Sequence, residues 1–420
     1  MTLSSGMNWW CTKGPHRGQA PLCSRQQADS SGQQKLVFGS KDHLILQKLL
    51  QHTFSTILVL ALGIVAAMIP AYGQEEGQAF LRALPGYTYQ FPADHAAHPE
   101  FRTEWWYYTG HLTAEKGRNF GFQLTFFRHA LRPLSTQAPS RWAIHTLYFI
   151  HFAITDEKGD TYRFQEKVSR GALDMAGADP DTYHVWVQDW EVRLQKKIHR
   201  LKAGKEDMGI DLTLVPAKGA VIHGNNGVSQ KAVGEGYASH YYSLTRMQTT
   251  GVLHWQGHSY EVTGQAWMDH EFGSNQLRDY QVGWDWFSVQ LDNQTELMLY
   301  IIRHRGGQAD PTSSGTLIHP DGSSEHLPLS TFQVETLGSW RSKKSGTIYP
   351  SGWRLTVPGK KLELKLVPTV KDQELTTRKS TLVNYWEGSV RVQGRFEDKD
   401  VEGRGYVELT GYDAQFKPDI

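Results

Sequence analysis

Cysteine is scarce in this sequence. Its 420 residues include two cysteines, Cys11 and Cys23, and both lie in a polar N-terminal stretch. From about Gln74 onward the chain has none, which excludes disulfides, a cysteine nucleophile and a cysteine-ligated metal from that part. We therefore expect that part to be stabilised by its hydrophobic core and its sheets.

The sequence also lacks an excess of charge of either sign, since its 44 basic residues nearly balance its 43 acidic residues and the net formal charge is +1. A nucleic-acid partner is therefore not expected. The sequence contains no Gly-x-Ser-x-Gly elbow, no P-loop and no dinucleotide fingerprint. We predict no cofactor, and a serine triad stays open only because histidine and aspartate are plentiful.

The N-terminal 73 residues do not show the patterning of the rest. Residues 1–40 are polar and rich in Gln, Ser and Gly. Lys48 then precedes the apolar run Phe54–Ile69, and a small-x-small site, Ala71-Tyr-Gly73, follows. This is the layout of a secretory signal peptide and predicts a periplasmic or secreted protein. The alternative is an anchor in the inner membrane formed by residues 54–69. The polar stretch before it suggests a start codon assigned too early.

Aromatic residues make up 12% of the chain, and they occur in alternating, β-prone segments. Glu104–Leu112 reads as a strand, Ala114–Asn119 as a turn and Phe120–Arg128 as the returning strand. Short strands separated by turns continue to the C-terminus, and long amphipathic helical patterns are lacking. The sequence therefore predicts an all-β fold of barrels or sandwiches with few short helices.

An internal repeat divides the β-rich part. An aromatic hairpin occurs twice, and an Asp-His pair lies upstream of each copy. This predicts two related β-domains, at residues 74–266 and 267–420, with a boundary near Trp267–Gln281. The matching segments are Trp105–Leu112 with Trp284–Leu291, Gly121–Arg128 with Glu296–Arg303, and Asp94-His95 with Asp269-His270.

The stretch Gly264–Ser274 falls on that predicted junction. It places Asp269, His270 and Glu271 beside Trp267 and ends in a Gly-Ser turn. Titratable groups among aromatics at a domain junction favour a binding or catalytic site. A strand-end aspartate that caps its own turn, with a surface histidine, is the structural alternative.

A second cluster lies one hairpin upstream, in Gly234–Arg246. Alternation places His240 and Tyr242 on one face of its strand, and Trp267 and Asp269 share a face of theirs. Antiparallel pairing is expected to bring the two pairs together as a pocket. A core tyrosine and a hydrogen-bonded histidine remain the alternative.

The stretch Asp94–Glu104 is rich in histidine and carboxylates. Its spacing matches no zinc motif, and Pro99 disfavours a helical ligand face, so no metal is predicted. We expect these residues to close one end of the first barrel, with Arg102 paired to Glu100 or Glu104.

Five motifs of this chain, spread between about Pro85 and Tyr412, resemble those of the carotenoid 1,2-hydratase (hydroxyneurosporene synthase) and AttH-like superfamily. Close members are bacterial exported proteins described as predicted secreted hydrolases. The resemblance implies two lipocalin-like (calycin) antiparallel β-barrels with the main pocket at or near their junction. The motifs are Phe91–Pro99, Glu104–Gly110, Ser239–Arg246, Ala266–Ser274 and Gly283–Ser288.

The resemblance also implies roles. In the hydratase branch an acid and the aromatic two residues before it act with a His-x-aromatic pair upstream, which here are Asp269, Trp267, His240 and Tyr242. Trp267 stands where a tyrosine is expected and Tyr242 where a tryptophan is expected, so a carotenoid substrate is not implied. The aromatic residues expected to line the ligand pocket are Trp105, Tyr107, Trp284, Trp286 and Tyr241.

Three functions remain open on the sequence. In the first, Asp269, kept protonated by burial, protonates a C=C bond of an isoprenoid or polyene substrate, and water oriented by His240 adds to the cation. Trp267 and Tyr242 would stabilise that cation. The second is a non-catalytic periplasmic module that binds a lipid or another hydrophobe. The third is a secreted hydrolase, for which no nucleophile is evident. Family analogy adds a membrane or an ABC-transporter system as a partner.

Overall fold

The computed structural model of the chain describes residues 79–133, 143–205, 207–275 and 277–413. The predicted leader, residues 1–73, and its apolar run lie outside the described residues. Among those described, none of the helices combines the length and the apolar character that a bilayer span requires. The helical segments are single 3₁₀ turns, at Ala93–His95, Glu115–Gly117, Leu329–Thr331 and Pro358–Lys360.

The first large sheet is antiparallel, in the order β4-β3-β2-β1-β13-β12-β9-β8-β7-β6-β5, and β10 and β11 also pair with β12. Its strands are β1 (Thr103–Ala114), β2 (Asn119–Ala130), β3 (Thr146–Asp156), β4 (Thr161–Arg170), β5 (Ala176–Ala178), β6 (His184–Val187), β7 (Trp190–Gln195), β8 (Ile198–Lys205), β9 (Met208–Pro216), β10 (Val221–Ile222), β11 (Ser229–Gln230), β12 (Ala238–Trp255) and β13 (His258–Asn275).

The second large sheet has the order β17-β16-β15-β14-β25-β24-β22-β21-β18, with β23 on β24, while β19 and β20 form a separate pair. Its strands and that pair are β14 (Gln281–Leu291), β15 (Glu296–His304), β16 (Ser314–Ile318), β17 (Ser324–Pro328), β18 (Gln333–Thr336), β19 (Ser339–Arg341), β20 (Ile348–Pro350), β21 (Trp353–Val357), β22 (Leu362–Pro368), β23 (Glu374–Thr376), β24 (Asn384–Phe396) and β25 (Lys399–Leu409).

The two sheets form two lipocalin-like barrels with the same topology, which confirms the predicted all-β fold and its repeat. In each barrel the first strand (β1 or β14) pairs with the second strand on one side and with the last strand (β13 or β25) on the other. The last strand then pairs with the strand before it, β12 or β24. The repeated hairpins of the sequence are β1–β2 and β14–β15.

Strand β1 is apolar on both faces because each face packs in a different apolar cluster. Trp106, Tyr108 and Leu112 point into the core of the first barrel. Tyr107, on the opposite face, packs in a third apolar cluster with Trp286 of β14. Because β14 likewise sends Phe287 and Val289 into its own barrel core, the outer faces of the two barrels are buried against each other.

The junction between the barrels has an approximate internal two-fold symmetry. When the repeats are superposed by register, His111 of β1 corresponds to Gln290 of β14. Each crosses to the last strand of the other barrel. The Nε2 of His111 donates to the carbonyl oxygen of Gly405 at 3.1 Å, and the Nε2 of Gln290 donates to that of Ala266 at 3.1 Å. Corresponding positions therefore meet across one shared interface.

The structure corrects the predicted domain boundary. Residues Trp267–Asn275 belong to β13 of the first sheet, and the second sheet begins at Gln281. The upstream Asp-His pairs are also not equivalent, because Asp94 and His95 lie in a 3₁₀ turn whereas Asp269 and His270 lie within a strand. Pairing of β13 along both β1 and β12 ties the stretch to the first barrel.

Candidate functional site

A cavity of about 560 Å³ opens between the two barrels. At the ~30 Å³ that a water molecule occupies in the liquid, this space holds on the order of 20 non-hydrogen atoms, which suits a small organic ligand. Both barrels contribute aromatic and ionisable side chains to its wall, among them Trp105, Tyr107, Tyr241, Asp269, Glu271, Trp284, Trp286, Tyr300 and Glu408.

Asp269 is the buried acid of this cavity, with 4% of its surface exposed. The Oδ2 atom accepts a hydrogen bond from the Tyr241 hydroxyl at 2.8 Å. The Oδ1 atom accepts from Trp267 Nε1 at 2.5 Å and from the Ser243 hydroxyl. Burial raises the pKa of Asp269 to about 7 although these three donors oppose the rise, and Glu271 adds to it. The Asp269 carboxyl group is therefore protonated in a substantial fraction of the molecules at neutral pH.

Aromatic rings surround that carboxyl group. Trp286 Nε1 donates to the Tyr241 hydroxyl at 3.1 Å, which fixes the hydroxyl that donates to Asp269. The Trp286 ring meets the Tyr107 ring edge-on at 5.2 Å between centroids, and the Trp267 ring at 6.2 Å. These contacts hold the rings of both barrels in defined positions around the acid.

The second barrel contributes two further acids, the buried Glu387 and the half-buried Glu408. Glu408 of β25 accepts a hydrogen bond from Trp284 Nε1 at 3.0 Å, and Glu387 of β24 accepts one from the Tyr107 hydroxyl at 2.7 Å. Burial raises the pKa of Glu408 to about 7, with a further rise from the charge of Asp269. Burial also raises the pKa of Glu387 well above its usual range.

Asp269 and Glu408 occupy corresponding positions of the repeat. Asp269 pairs with Tyr107 of β1, and Glu408 pairs with Trp286 of β14, the residue that corresponds to Tyr107. The junction therefore offers one carboxyl group from each barrel to the same cavity. Since both pKa values lie near 7, one group can be protonated while the other is ionised.

A buried ion pair forms another part of the wall. Lys231 Nζ lies 3.0 Å from a Glu271 carboxylate oxygen and above the rings of Tyr241 and Tyr300, at 5.0 and 4.5 Å from their centroids. Burial alone would lower the pKa of Lys231, but Glu271 outweighs it and the pKa is raised. Lys231 is therefore a paired cation, and Glu271 stays its counter-ion.

Two imidazoles line this cavity, those of His129 and His151, and His151 is the more deeply buried. Its Nδ1 and Nε2 atoms lie 2.7 Å from the Tyr385 hydroxyl and 2.8 Å from the Ser380 hydroxyl. Burial lowers the pKa of His151 to about 3, so the ring is neutral. With both nitrogens engaged, it serves to position its neighbours.

The prediction that His240 and Tyr242 share a pocket with Asp269 and Trp267 is wrong. Asp269 and Trp267 share the outer face of β13 as predicted. His240 and Tyr242 point the other way, into the first barrel, because their pairing partners on β13 are Phe272 and His270. His240 stacks there on Tyr87 at 4.2 Å and contacts the Gly227 carbonyl oxygen at 2.9 Å.

A β-bulge causes this difference. The two-residue turn at Gln256-Gly257 sets a register that would place His240 and Tyr242 on the face of Asp269. Between Leu244 and Met247 strand β12 contains one extra residue relative to β13, and the register shifts. The side chains from Leu244 back to Ser239, where a second register shift follows, change face as a result. Tyr241 and Ser243 thereby replace His240 and Tyr242 beside Asp269.

The histidine-rich stretch Asp94–Glu104 forms a separate network inside the first barrel. Glu104 accepts from Arg128 Nε at 2.9 Å and contacts His98 Nδ1 and His270 Nε2, each at 2.8 Å. Glu104 therefore pairs with Arg128, and the prediction of Arg102 as its partner is wrong. Burial alone would raise the pKa of Glu104, but Arg128 and the histidines hold it well below its usual range.

Within the described residues, His98, Glu104 and His270 are the group whose ligand-type atoms converge closely enough for a metal ion. Both ring nitrogens of each histidine already have a protein partner. His98 Nδ1 and His270 Nε2 contact Glu104, while His98 Nε2 contacts the Asp94 carboxylate and His270 Nδ1 contacts the Asp94 carbonyl oxygen. We assign the group to the hydrogen-bond network that closes the barrel.

All five predicted ligand-binding aromatics, Trp105, Tyr107, Trp284, Trp286 and Tyr241, lie on the cavity wall. Sequence reasoning missed Ser243, Lys231 and Glu408. A signal for Glu408 was present, because Tyr406-Val-Glu408 repeats the aromatic-aliphatic-acid order of Trp267-Met-Asp269. Extending the repeat to the last strands would have identified it.

A model of the protein family described as AttH-like matches residues 82–412. The structure is similar to that of an AttH protein from Nitrosomonas europaea, with 33% sequence identity, a TM-score of 0.72, and 79% of this chain and 99% of that chain covered. It is also similar to kievitone hydratase from Nectria haematococca, at 16% identity and a TM-score of 0.61, with 80% and 98% covered; this likeness concerns the fold. No curated protein matches the chain.

Proposed function

The chain belongs to the AttH-like family, and on that premise we propose that it is a hydratase of an apolar, isoprenoid or polyene-type ligand bound between its barrels. The observation that carries the proposal is the protonatable Asp269 in a cavity walled by aromatic rings. Kievitone hydratase, a protein of the same fold, is named for hydration. A carotenoid as the specific substrate is a narrower form of this proposal.

Asp269 acts as the general acid. Its carboxyl group transfers a proton to one carbon of a C=C bond, the π bond breaks, and the neighbouring carbon becomes a carbocation. Three hydrogen-bond donors then stabilise the carboxylate that remains. These donors favour ionised Asp269, whereas burial favours the protonated form before transfer, and the pKa near 7 reflects both.

The aromatic walls stabilise the cation. Trp286, Tyr241 and Tyr107 line the cavity beside the acid, and a desolvated cation over such rings gains on the order of 2 kcal/mol per good contact. Lys231, which is paired with Glu271, already lies over the Tyr241 ring at 5.0 Å from its centroid. Trp286 and Tyr107 are therefore the rings left for the substrate cation.

Glu408 takes the role that the sequence had given to His240. Water adds through its oxygen to the carbocation, and the ionised Glu408 carboxyl accepts the proton that this water loses. After turnover Asp269 is ionised and Glu408 protonated, and exchange of one proton with solvent water restores both groups. The geometric support is that Glu408 lines the same cavity as Asp269 from the opposite barrel.

A hydrolase is less well supported, for a geometric reason. Ser243 contacts both His223 and Asp269, so the hydroxyl lies between the imidazole and the carboxyl group. In a serine triad the imidazole lies between the hydroxyl and the acid. Ser243 is also completely buried.

Product analysis tests the proposal. Purified protein is incubated with geranylgeraniol or all-trans-retinol in detergent micelles, and mass spectrometry follows the gain of one water, with ¹⁸O from labelled water. We expect hydration of at least one probe, and its loss in Asp269→Asn. The variant His240→Gln is the matched comparison on β12, and it should retain turnover because its side chain faces the first barrel.

A non-catalytic role is the competing outcome. If the wild type binds these polyenes but forms no hydrated product, and a hydrophobe copurifies with it, the protein is a hydrophobe-binding module. Export to the periplasm and a membrane or transporter partner remain further proposals, which rest on the N-terminal sequence pattern and on family analogy.

A further inference from the structure

A chain of hydrogen bonds begins at Asp269 and passes beside the Tyr241 ring, which lies 4.3 Å from the His223 ring between centroids. The Ser243 hydroxyl contacts Asp269 Oδ1 and lies 2.6 Å from His223 Nε2. The other imidazole nitrogen, His223 Nδ1, lies 2.8 Å from the Thr316 hydroxyl. All four side chains are buried. The chain begins on β13 and ends on β16, so it connects the acid of the first barrel to the second barrel.

The donors and acceptors of this chain permit two directions. A hydroxyl group donates one hydrogen, and a neutral imidazole donates from one nitrogen and accepts at the other. If Asp269 carries a proton on Oδ1, it donates to Ser243, Ser243 donates to His223 Nε2, and His223 Nδ1–H donates to Thr316. If Asp269 is ionised, Thr316 donates to Nδ1, Nε2–H donates to Ser243, and Ser243 donates to Asp269.

We propose that His223 is a positioning residue whose tautomer follows the protonation of Asp269 through Ser243, so that each protonation state of the acid has a complete set of buried hydrogen bonds. The inference rests on the proposed function for its purpose, because an acid that gives up and regains a proton in each turnover needs both states satisfied. Trp267 Nε1 cannot serve in this way, since an indole N–H only donates.

The proton count of the change is simple. In a titration the Asp269 hydrogen passes to the Ser243 hydroxyl, and the Ser243 hydrogen passes to His223 Nε2. The Nδ1–H bond breaks as its hydrogen passes to the Thr316 hydroxyl, which releases its own hydrogen. The imidazole therefore carries one hydrogen before and after the change, and the net result is one proton lost to water. Burial, reinforced by the nearby Lys231 charge, lowers the pKa of His223 to about 3, so an imidazolium form does not intervene at neutral pH.

The ionisable groups around Asp269 do not replace the Ser243 hydroxyl as the partner of Oδ1. The ionisable groups that act on it or are affected by its charge come from both barrels, and none of them contacts Oδ1: Tyr107, Lys231, Tyr241, Glu271, Glu387 and Glu408. Among the described contacts of Oδ1, the Ser243 hydroxyl is the partner that can both donate and accept.

Nitrogen NMR of the full chain, labelled with ¹⁵N-histidine, tests the inference without any substrate. The His223 signals are identified by comparison with His223→Gln, and the carboxyl band of Asp269 is followed by infrared difference spectroscopy against Asp269→Asn. We expect the protonated nitrogen of His223 to change from Nδ1 to Nε2 as pH rises, with the same midpoint as the Asp269 band. A single tautomer throughout the titration of Asp269, or an imidazolium form, would overturn the inference.

Two serine variants supply the matched pair. Ser243→Ala breaks the chain, so His223 should keep one tautomer at all pH values. Ser239→Ala removes a hydroxyl four residues away on the same face, where it donates to Glu271, and the change of tautomer should persist. Persistence in Ser243→Ala would contradict the inference. If the His223 tautomer changes but no probe is hydrated, the proposed function fails and the coupling of His223 to Asp269 stands. If hydration depends on Asp269 but the His223 tautomer stays fixed, the proposed function stands and the coupling fails.

Discussion

The raised pKa of Asp269 predicts a specific pH dependence of stability. In the unfolded chain the carboxyl group titrates near its ordinary pKa of 3.8, and in the folded protein near about 7. Between these values the folded state holds a proton that the unfolded state has lost. Because the folded state binds more protons there, the free energy of unfolding contributed by this group falls as pH rises from about 4 to about 7.

The variant Asp269→Asn removes this contribution. At about 1.36 kcal/mol per pH unit, the interval from 3.8 to about 7 corresponds to about 4 kcal/mol. Asparagine does not titrate, so whatever it costs in hydrogen bonding is the same at every pH. We therefore expect the stability of the variant relative to the wild type to increase by about 4 kcal/mol between about pH 4 and pH 8.

Equilibrium urea unfolding, followed by tryptophan fluorescence over this pH range, measures the difference. Asp400→Asn is the control, since its side chain is 95% exposed, and its stability difference should be independent of pH. A flat difference for Asp269→Asn as well would refute the reasoning. Asp269 would then be ionised in the folded protein near neutral pH and could not be the general acid.

Three further predictions follow from other parts of the structure. Glu104→Gln leaves the buried Arg128 without its carboxylate and should cost about 3–5 kcal/mol of stability in urea unfolding. All-trans-retinol, titrated by its fluorescence, should bind less tightly as pH rises through about 7 because ligand binding completes the desolvation of ionised Asp269, and Asp269→Asn should abolish this dependence. Gly264→Ala should cost about 3 kcal/mol in thermal unfolding, because its Cβ would lie 1.9 Å from the His111 carbonyl oxygen.

The sequence predicted the fold well because its signals were local. Alternating aromatic segments gave the hairpins, the two-residue turn at Gln256-Gly257 joined β12 to β13, and the hairpin repeat indicated two barrels. The face shared by Trp267 and Asp269 followed from the two-residue period of a strand alone. None of these inferences needed the position of one strand relative to another.

The site was only partly predictable because it depends on that relative position. A single extra residue between Leu244 and Met247 exchanges the faces of β12, and no residue there marks a bulge in the way that glycine often does. Tyr241 was expected as a ligand-binding aromatic, yet its hydrogen bond to Asp269 follows from the bulge. His223 directly follows the short strand β10, and no periodic pattern in the sequence encodes its contact with Ser243.

The position of the cavity between two covalently joined barrels has a thermodynamic consequence. Its walls exist only while the barrels are docked, so any ligand that fills it must favour the docked state by the free energy with which it binds. Docking is intramolecular, since the chain passes from Asn275 to Gln281 between the sheets, and the tether keeps the effective concentration of one barrel near the other high. The interface can therefore contain three carboxyl groups with raised pKa values, Asp269, Glu387 and Glu408, whose burial a freely associating pair of subunits would need much apolar area to offset. A ligand bound in the cavity should therefore make the segment between Asn275 and Gln281 more resistant to proteolysis.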